Sequence, residues 1–209
     1  MTLSGTIKAV TLIPPGSVTI TLNGITQVAA INPATGSFSS TFNTAAFPVS
    51  AVGYPISYSY KDTVDSNFNN ATGTGTLNVR YASTGTCDGD LGHTILQPIN
   101  TSGAMSVFKL GSTVPTKFRV CDANGVSIGT QGVVKGYGLV AAASSPTITV
   151  DEDIYSTTPD TAFRWDSTGQ QWIFNQSTKN NATLQAGVTY YFAINLNDGS
   201  SIYFQYALK

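Results

Sequence analysis

The chain has 209 residues, with 10 Lys and Arg, 11 Asp and Glu, one His and a formal net charge of −1. About a quarter of an average globular protein is charged, but here the share is 10% and Thr, Ser, Asn and Gly are the solvated residues. So few cations, so scattered, exclude electrostatic capture of nucleic acid and a basic membrane-surface helix, and no apolar run reaches the roughly 20 residues that span a bilayer.

Met1-Thr-Leu-Ser-Gly5 has no charged segment followed by an apolar stretch, so it does not read as a signal peptide. It starts on a strand, as in a piece of a longer chain or a mature form with an added Met. No segment keeps an i, i+3, i+4, i+7 apolar pattern over three turns, so helices are not predicted. Val18, Ile20 and Leu22 alternate with Thr19 and Thr21, and Asn23-Gly24 then supplies a hairpin turn. Gln27 to Ile31 is the returning strand, Pro33 to Gly36 a turn, and Phe38, Ser40 and Phe42 continue the period of two. Tyr54, Ile56, Tyr58 and Tyr60 alternate with Ser57 and Ser59, and Thr74 to Val79 is a further strand. Short strands at this spacing, with Gly, Pro and Asn between them, argue for a sandwich.

From Tyr81 to Leu91 the chain turns small, polar and Gly-rich, and the domain boundary is placed at Arg80 to Ser83. The predicted strands beyond it are Ser106–Leu110, Thr113–Cys121, Gly132–Val140, Thr147–Val150, Ala162–Trp165, Trp172–Asn175, Thr189–Asn195 and Ser201–Leu208. Asp122 to Gly125, Asp166 to Gly169 and Asn197 to Gly199 carry turn chemistry. The expected fold class is therefore all-β: two tandem antiparallel β-sandwiches, residues 1–80 and 81–209, each with enough apolar sequence for a core.

Val18-Thr-Ile-Thr-Leu-Asn-Gly24, Asn32-Pro-Ala-Thr-Gly36-Ser-Phe, Ile56-Ser-Tyr-Ser-Tyr60 and Asp65-Ser-Asn67-Phe68 together resemble the bacterial Ig-like repeats of surface and adhesin-type proteins. The segment Tyr60 to Phe68 departs from the repeats' Y-x-G-D-x-N-F pattern, being two residues longer and lacking the Gly. Pro115-Thr116-Lys117-Phe118 resembles the name motif of the PxKF domain, which follows such repeats in bacterial extracellular proteins. Gly92 to Asn100, Phe163 to Gly169, Gln171 to Asn175 and Leu196 to Gly199 support that resemblance. The two resemblances imply an Ig-like first sandwich and a secreted β-sandwich module after it, with no catalytic activity to carry over.

Groups able to do chemistry are few. Cys87 and Cys121 form an even pair that an oxidising compartment would join. The bridge would close a loop worth roughly 3–4 kcal/mol in the chain-entropy model, and the alternative is two buried thiols. His93, the lone histidine, lies beside no nucleophile signature and reads as structural. No CxxC or HxxxH spacing supports zinc. Asp151-Glu152-Asp153 and Asp88-Gly-Asp90 lack EF-hand spacing, so they read as solvated loops, with a weak interdomain calcium at Asp88 or Asp90 as the other reading. Neither a resident metal nor a cofactor is predicted. Lys117 shares a strand face with Pro115 and Arg119, and an isopeptide bond would require it buried beside an Asn and an acid. The sequons at Asn70, Asn100, Asn175 and Asn181 arise by chance in an Asn- and Thr-rich chain, and the bacterial resemblance argues against their glycosylation.

The best candidate for a binding surface is the hairpin around Asp166 to Gly169. It would place Phe163, Trp165, Trp172 and Phe174 on one face, either to stack on sugar rings or to fill the core. The expected function is a non-catalytic extracellular or cell-surface module, a spacer or stalk tip of a larger bacterial protein, with that protein's other domains as partners. One alternative is a carbohydrate- or cell-binding module using Trp165 and Trp172. Another is a fibre subunit in which copies pair through edge strands.

Overall fold

This computed structural model describes residues 1–63, 67–81, 94–101, 103–144, 149–151, 159–179 and 181–209. Every regular element among them is a strand, and the fold is all-β and sandwich-like. The chain divides into two compact units, Met1–Val79 and Arg80–Lys209.

Unit 1 contains β1 (Thr2–Thr6), β2 (Ser17–Leu22), β3 (Ile25–Ala30), β4 (Ser37–Thr41), β5 (Tyr54–Tyr60) and β6 (Ala71–Leu77). One sheet has the order β3-β2-β5-β6 and the other is the pair β1-β4, with antiparallel neighbours throughout. The period of two puts Val18, Ile20 and Leu22 inside, opposite Tyr60, Tyr58 and Ile56 of β5. Those side chains pack on Leu3, Ala29, Ile31 and Phe42 to form the core. Asn23 and Gly24 both have positive φ, 48° and 80°. That is the backbone a two-residue hairpin demands, and Asn and Gly reach it at least cost. The return strand therefore starts at Ile25, two residues earlier than the apolar pattern indicates.

Unit 2 contains β7 (Ile95–Leu96), β8 (Met105–Phe108), β9 (Thr113–Phe118), β10 (Val134–Ser144), β11 (Thr149–Asp151), β12 (Arg164–Asp166), β13 (Gln171–Ser177), β14 (Val188–Leu196) and β15 (Ser201–Leu208). Its sheets run β10-β14-β15-β8-β11 and β12-β13-β9-β7. Most pairs are antiparallel, but β8 runs parallel to both β15 and β11. The strand β10 continues to Ser144, four residues past its predicted end, because Ala141, Ala142 and Ala143 pair with Tyr191, Tyr190 and Thr189. Alanine is a weak strand former alone, and its cross-strand neighbours decide the outcome here. Among the described residues, Pro115 sits where β9 has a strand on one side only, since the short β7 pairs with Phe118 and Lys117 beyond it. A residue without an N–H is tolerated at such a place.

The first residues of unit 2 are tied to its last hairpin. Arg80 Nη1 donates to the Asp198 carbonyl at 3.0 Å, the Tyr81 N–H donates to Asp198 Oδ2 at 2.9 Å, and the Tyr81 hydroxyl donates to Asn197 Oδ1 at 2.8 Å. The buried Asp198 carboxylate also accepts from the N–H and hydroxyl of Ser200, at 2.9 and 2.6 Å.

Candidate functional site

The aromatic hairpin forms, but its turn is Ser167 to Gln170, one residue later than the sequence indicates, because Asp166 still pairs with Gln171. Trp165 opposes Trp172, Arg164 opposes Ile173, and the turn is held by Asp166 Oδ1, which accepts from the N–H groups of Thr168 and Gly169 at 3.0 and 3.1 Å. These backbone bonds lower the Asp166 pKa below the usual carboxylate value. The left-handed residue of the loop is Gln170. Trp172 is 5% exposed, and its indole N–H donates to the Ile128 carbonyl at 2.9 Å. Trp165 is half-buried and packs its ring so closely on Gly129 that a Cβ there would lie 2.2 Å from it. Phe163 and Phe174 meet each other at 4.9 Å, and Phe163 meets Phe118 at 5.5 Å. Of the two readings open at the sequence level, the packing favours core over platform.

From this hairpin a chain of rings crosses between the sheets. Tyr137 of β10 meets Phe174 at 5.3 Å and stacks on Phe192 at 5.5 Å, and Phe192 in turn stacks on Phe204 and Tyr206 at 5.3 and 4.9 Å. One polar group is set among them. Gln176 Oε1, on β13, accepts from the Tyr206 hydroxyl at 2.6 Å and also from the Tyr137 hydroxyl. Burial pushes both tyrosine pKa values far above the usual value, and the two hydroxyls' mutual interaction raises that of Tyr137 further. These groups stay protonated and structural.

The aromatic residues open to solvent lie on the opposite face of the five-stranded sheet. Phe192, Ile194, Ile202 and Phe204 point inward and are buried, while Tyr191 and Tyr203 are 38% and 72% exposed. Tyr191 faces Gln205 and Tyr203 faces Ala193, so the tyrosines are diagonal neighbours across β14 and β15. A register shift between Leu139 and Ala141 marks a bulge in β10, and Val140 there is 59% exposed. Bulges re-aim side chains in this way. Together Tyr191, Tyr203, Gln205, Val140, Asn100 and Thr101 border a trough of about 570 Å³. Among the described residues, no Asp, Glu, Lys, Arg or His lines it. Sequence reasoning missed this face because both strands carry aromatics on consecutive positions, Tyr190-Tyr191 and Tyr203-Phe204, which leaves their facing undecided.

Other candidates fall elsewhere. Cys121 is fully buried, whereas Cys87 lies outside the described residues, as do Asp88, Asp90, His93, Glu152 and Asp153. Asp151 ends β11. Lys117 is half-buried on the outer face of β9, opposite Ile173 and Leu96. Asn175 is buried, and its backbone pairs with Asp160, so it cannot carry a glycan. Among the described residues no group of three or more His, Cys, Asp or Glu is placed to hold a metal, and no helix is long and apolar enough to cross a membrane.

No protein-family model matches the chain, and neither does any curated protein. One solved chain, described by the words "Ca2+-stabilized adhesin helps an Antarctic bacterium reach out and bind ice", is 14% identical with a TM-score of 0.26, over 100% of this chain and 43% of that chain. A likeness that slight carries no argument about fold or function.

Proposed function

We propose that the chain is a non-catalytic adhesive module of a bacterial extracellular protein, and that unit 2 makes the contact through the Tyr191–Tyr203 face. The observation that carries this reading is Tyr203, 72% exposed in the middle of a regular strand. It has a second tyrosine diagonal to it and amide and hydroxyl side chains around it. Among the described residues, the Tyr203 hydroxyl and the Gln205 amide have no hydrogen-bond partner. Flat rings offer apolar faces to the C–H side of a sugar, and neutral amides and hydroxyls match its hydroxyl groups. A trough whose described lining carries no charge favours a neutral polysaccharide over an acidic one. The remainder of unit 2 supports this face as a rigid platform, and the Cys87–Cys121 bridge is part of the same proposal.

Affinity electrophoresis tests it, through gels carrying a neutral β-glucan or mannan, or acidic alginate. The expected result is retardation by a neutral glycan, with about tenfold weaker binding in Tyr203→Ala, the size of one lost stacking contact. No retardation in any gel, or retardation that Tyr203→Ala leaves unchanged, overturns the reading.

A further inference from the structure

Unit 1 has an opening that its own strands do not fill. The pair β1-β4 and the sheet β3-β2-β5-β6 each end in a bare edge, and among the described residues neither β1 nor β6 has a strand on its outer side. A groove of about 320 Å³ is lined by β1 from Ser4 to Thr6 with Ile7 after it, and by Ala71, Thr72 and Gly73 of β6. Its other walls are Val18, Phe38, Tyr58 and Tyr60, and the Phe38 and Tyr58 rings lie 6.0 Å apart.

The sequence of β6 explains the opening. Its inward positions face Tyr60, Tyr58, Ile56 and Tyr54 of β5, and they are Ala71, Gly73, Gly75 and Leu77. Two of the four have no side chain, while Thr72, Thr74 and Thr76 point out and are exposed. On the other wall Gly5 also lacks a side chain, and the Phe38 ring tip lies where its Cβ would be, 2.5 Å from that position. Glycine inside a strand weakens it and marks a place where another backbone approaches closely.

We propose that this groove is an acceptor for an extended strand supplied by another polypeptide, with no charged residues and with apolar side chains at every second position. Three features select that chemistry. The bare edges of β1 and β6 present backbone N–H and C=O groups in ladder spacing, which a strand satisfies along its length. The groove between them is apolar, and it would take the inward side chains of such a strand. Among the described residues, neither the lining nor the strands β1, β4 and β6 contain a charged residue, so the walls complement a neutral segment and offer a charged one no partner. Edge strands are ordinarily protected from such pairing by lysine, proline or short length, and β6 has seven residues with neither.

Fluorescence anisotropy of a labelled peptide with the sequence Ser17 to Gly24, neutral and alternating, tests the proposal on the full chain. A peptide of the same composition with its apolar residues made consecutive is the control. The decisive variant is Gly73→Val, because a Cβ at Gly73 makes only ordinary 3.7 Å contacts with Tyr58. The Cβ fits the fold and the two methyl groups beyond it are added to occupy the groove, and an unreduced melting temperature confirms folding. Saturable binding of the alternating peptide, about tenfold weaker or more in Gly73→Val and absent for the control, supports the inference. No binding at millimolar peptide, or equal binding by Gly73→Val, overturns it. Light scattering that shows the chain alone forming dimers which Gly73→Val dissolves overturns the choice of occupant in favour of a second copy.

Discussion

The two units close their sandwiches by different means. In unit 2 the inward positions of the long strands carry Tyr137, Phe174, Phe192, Phe204 and Tyr206, whose rings touch in sequence from one sheet to the other. Unit 1 sets a four-stranded sheet against a pair, and its β6 edge turns Gly73 and Gly75 inward. A sandwich is sealed by the side-chain volume its edge strands send inside, and strand count alone does not supply it. That volume is present in unit 2 and missing at one side of unit 1.

The largest test of this contrast is Phe192→Ala, which removes the ring that joins Tyr137, Phe204 and Tyr206. It should cost unit 2 about 3–5 kcal/mol. Both tryptophans lie in unit 2, so their fluorescence in a denaturant titration follows that unit alone. Gln176→Ala should cost about 1–3 kcal/mol by leaving the Tyr137 and Tyr206 hydroxyls without their shared acceptor, read by the same titration. Alkaline pH probes the same pair. Above about pH 10 the unfolded tyrosines ionise, whereas Tyr137 and Tyr206 hold their protons in the fold. The unfolded state then binds fewer protons, so unit 2 loses stability as pH rises past that point, and the contribution is whole below it. A midpoint unchanged between about pH 8 and pH 11 would contradict this. The smallest effect runs the other way. Gly75→Ala, whose Cβ meets Ile56 at 3.7 Å, should stabilise unit 1 by about 0.5–1 kcal/mol. Slower amide exchange in β5 and β6 would register it.

Much of this architecture was legible in the residues. Val18, Ile20 and Leu22 alternate cleanly because one face of β2 is core and the other is not, and Asn23-Gly24 fixes their hairpin. The pattern around Asp166 indicates one face for Phe163, Trp165, Trp172 and Phe174, but rings at inward and outward positions have the same sequence signature, so only packing on Gly129 and Ile128 separates core from platform. The apolar stretch after Thr94 reads as a strand, and β7 is only its two residues Ile95 and Leu96, too few to show a period. The groove in unit 1 did leave a signal, the run Thr72-Gly-Thr-Gly-Thr76. It has the alternation of a strand with nothing on its inner face, and a search for apolar periodicity passes over it.

The link between Arg80, Tyr81 and Asp198 has a mechanical consequence. Asp198 lies in the turn just before β15, and Lys209 follows that strand's last residue. Tension applied between the beginning and end of unit 2 is therefore delivered along β15, whose eight residues extend about 26 Å. That load enters and leaves through β15 itself, so the three bonds that Arg80 and Tyr81 make to Asn197 and Asp198 carry it before any rung of the ladder to β14 does. Under such a load these bonds part first, and the pairing of β14 with β15 is strained only after they have gone.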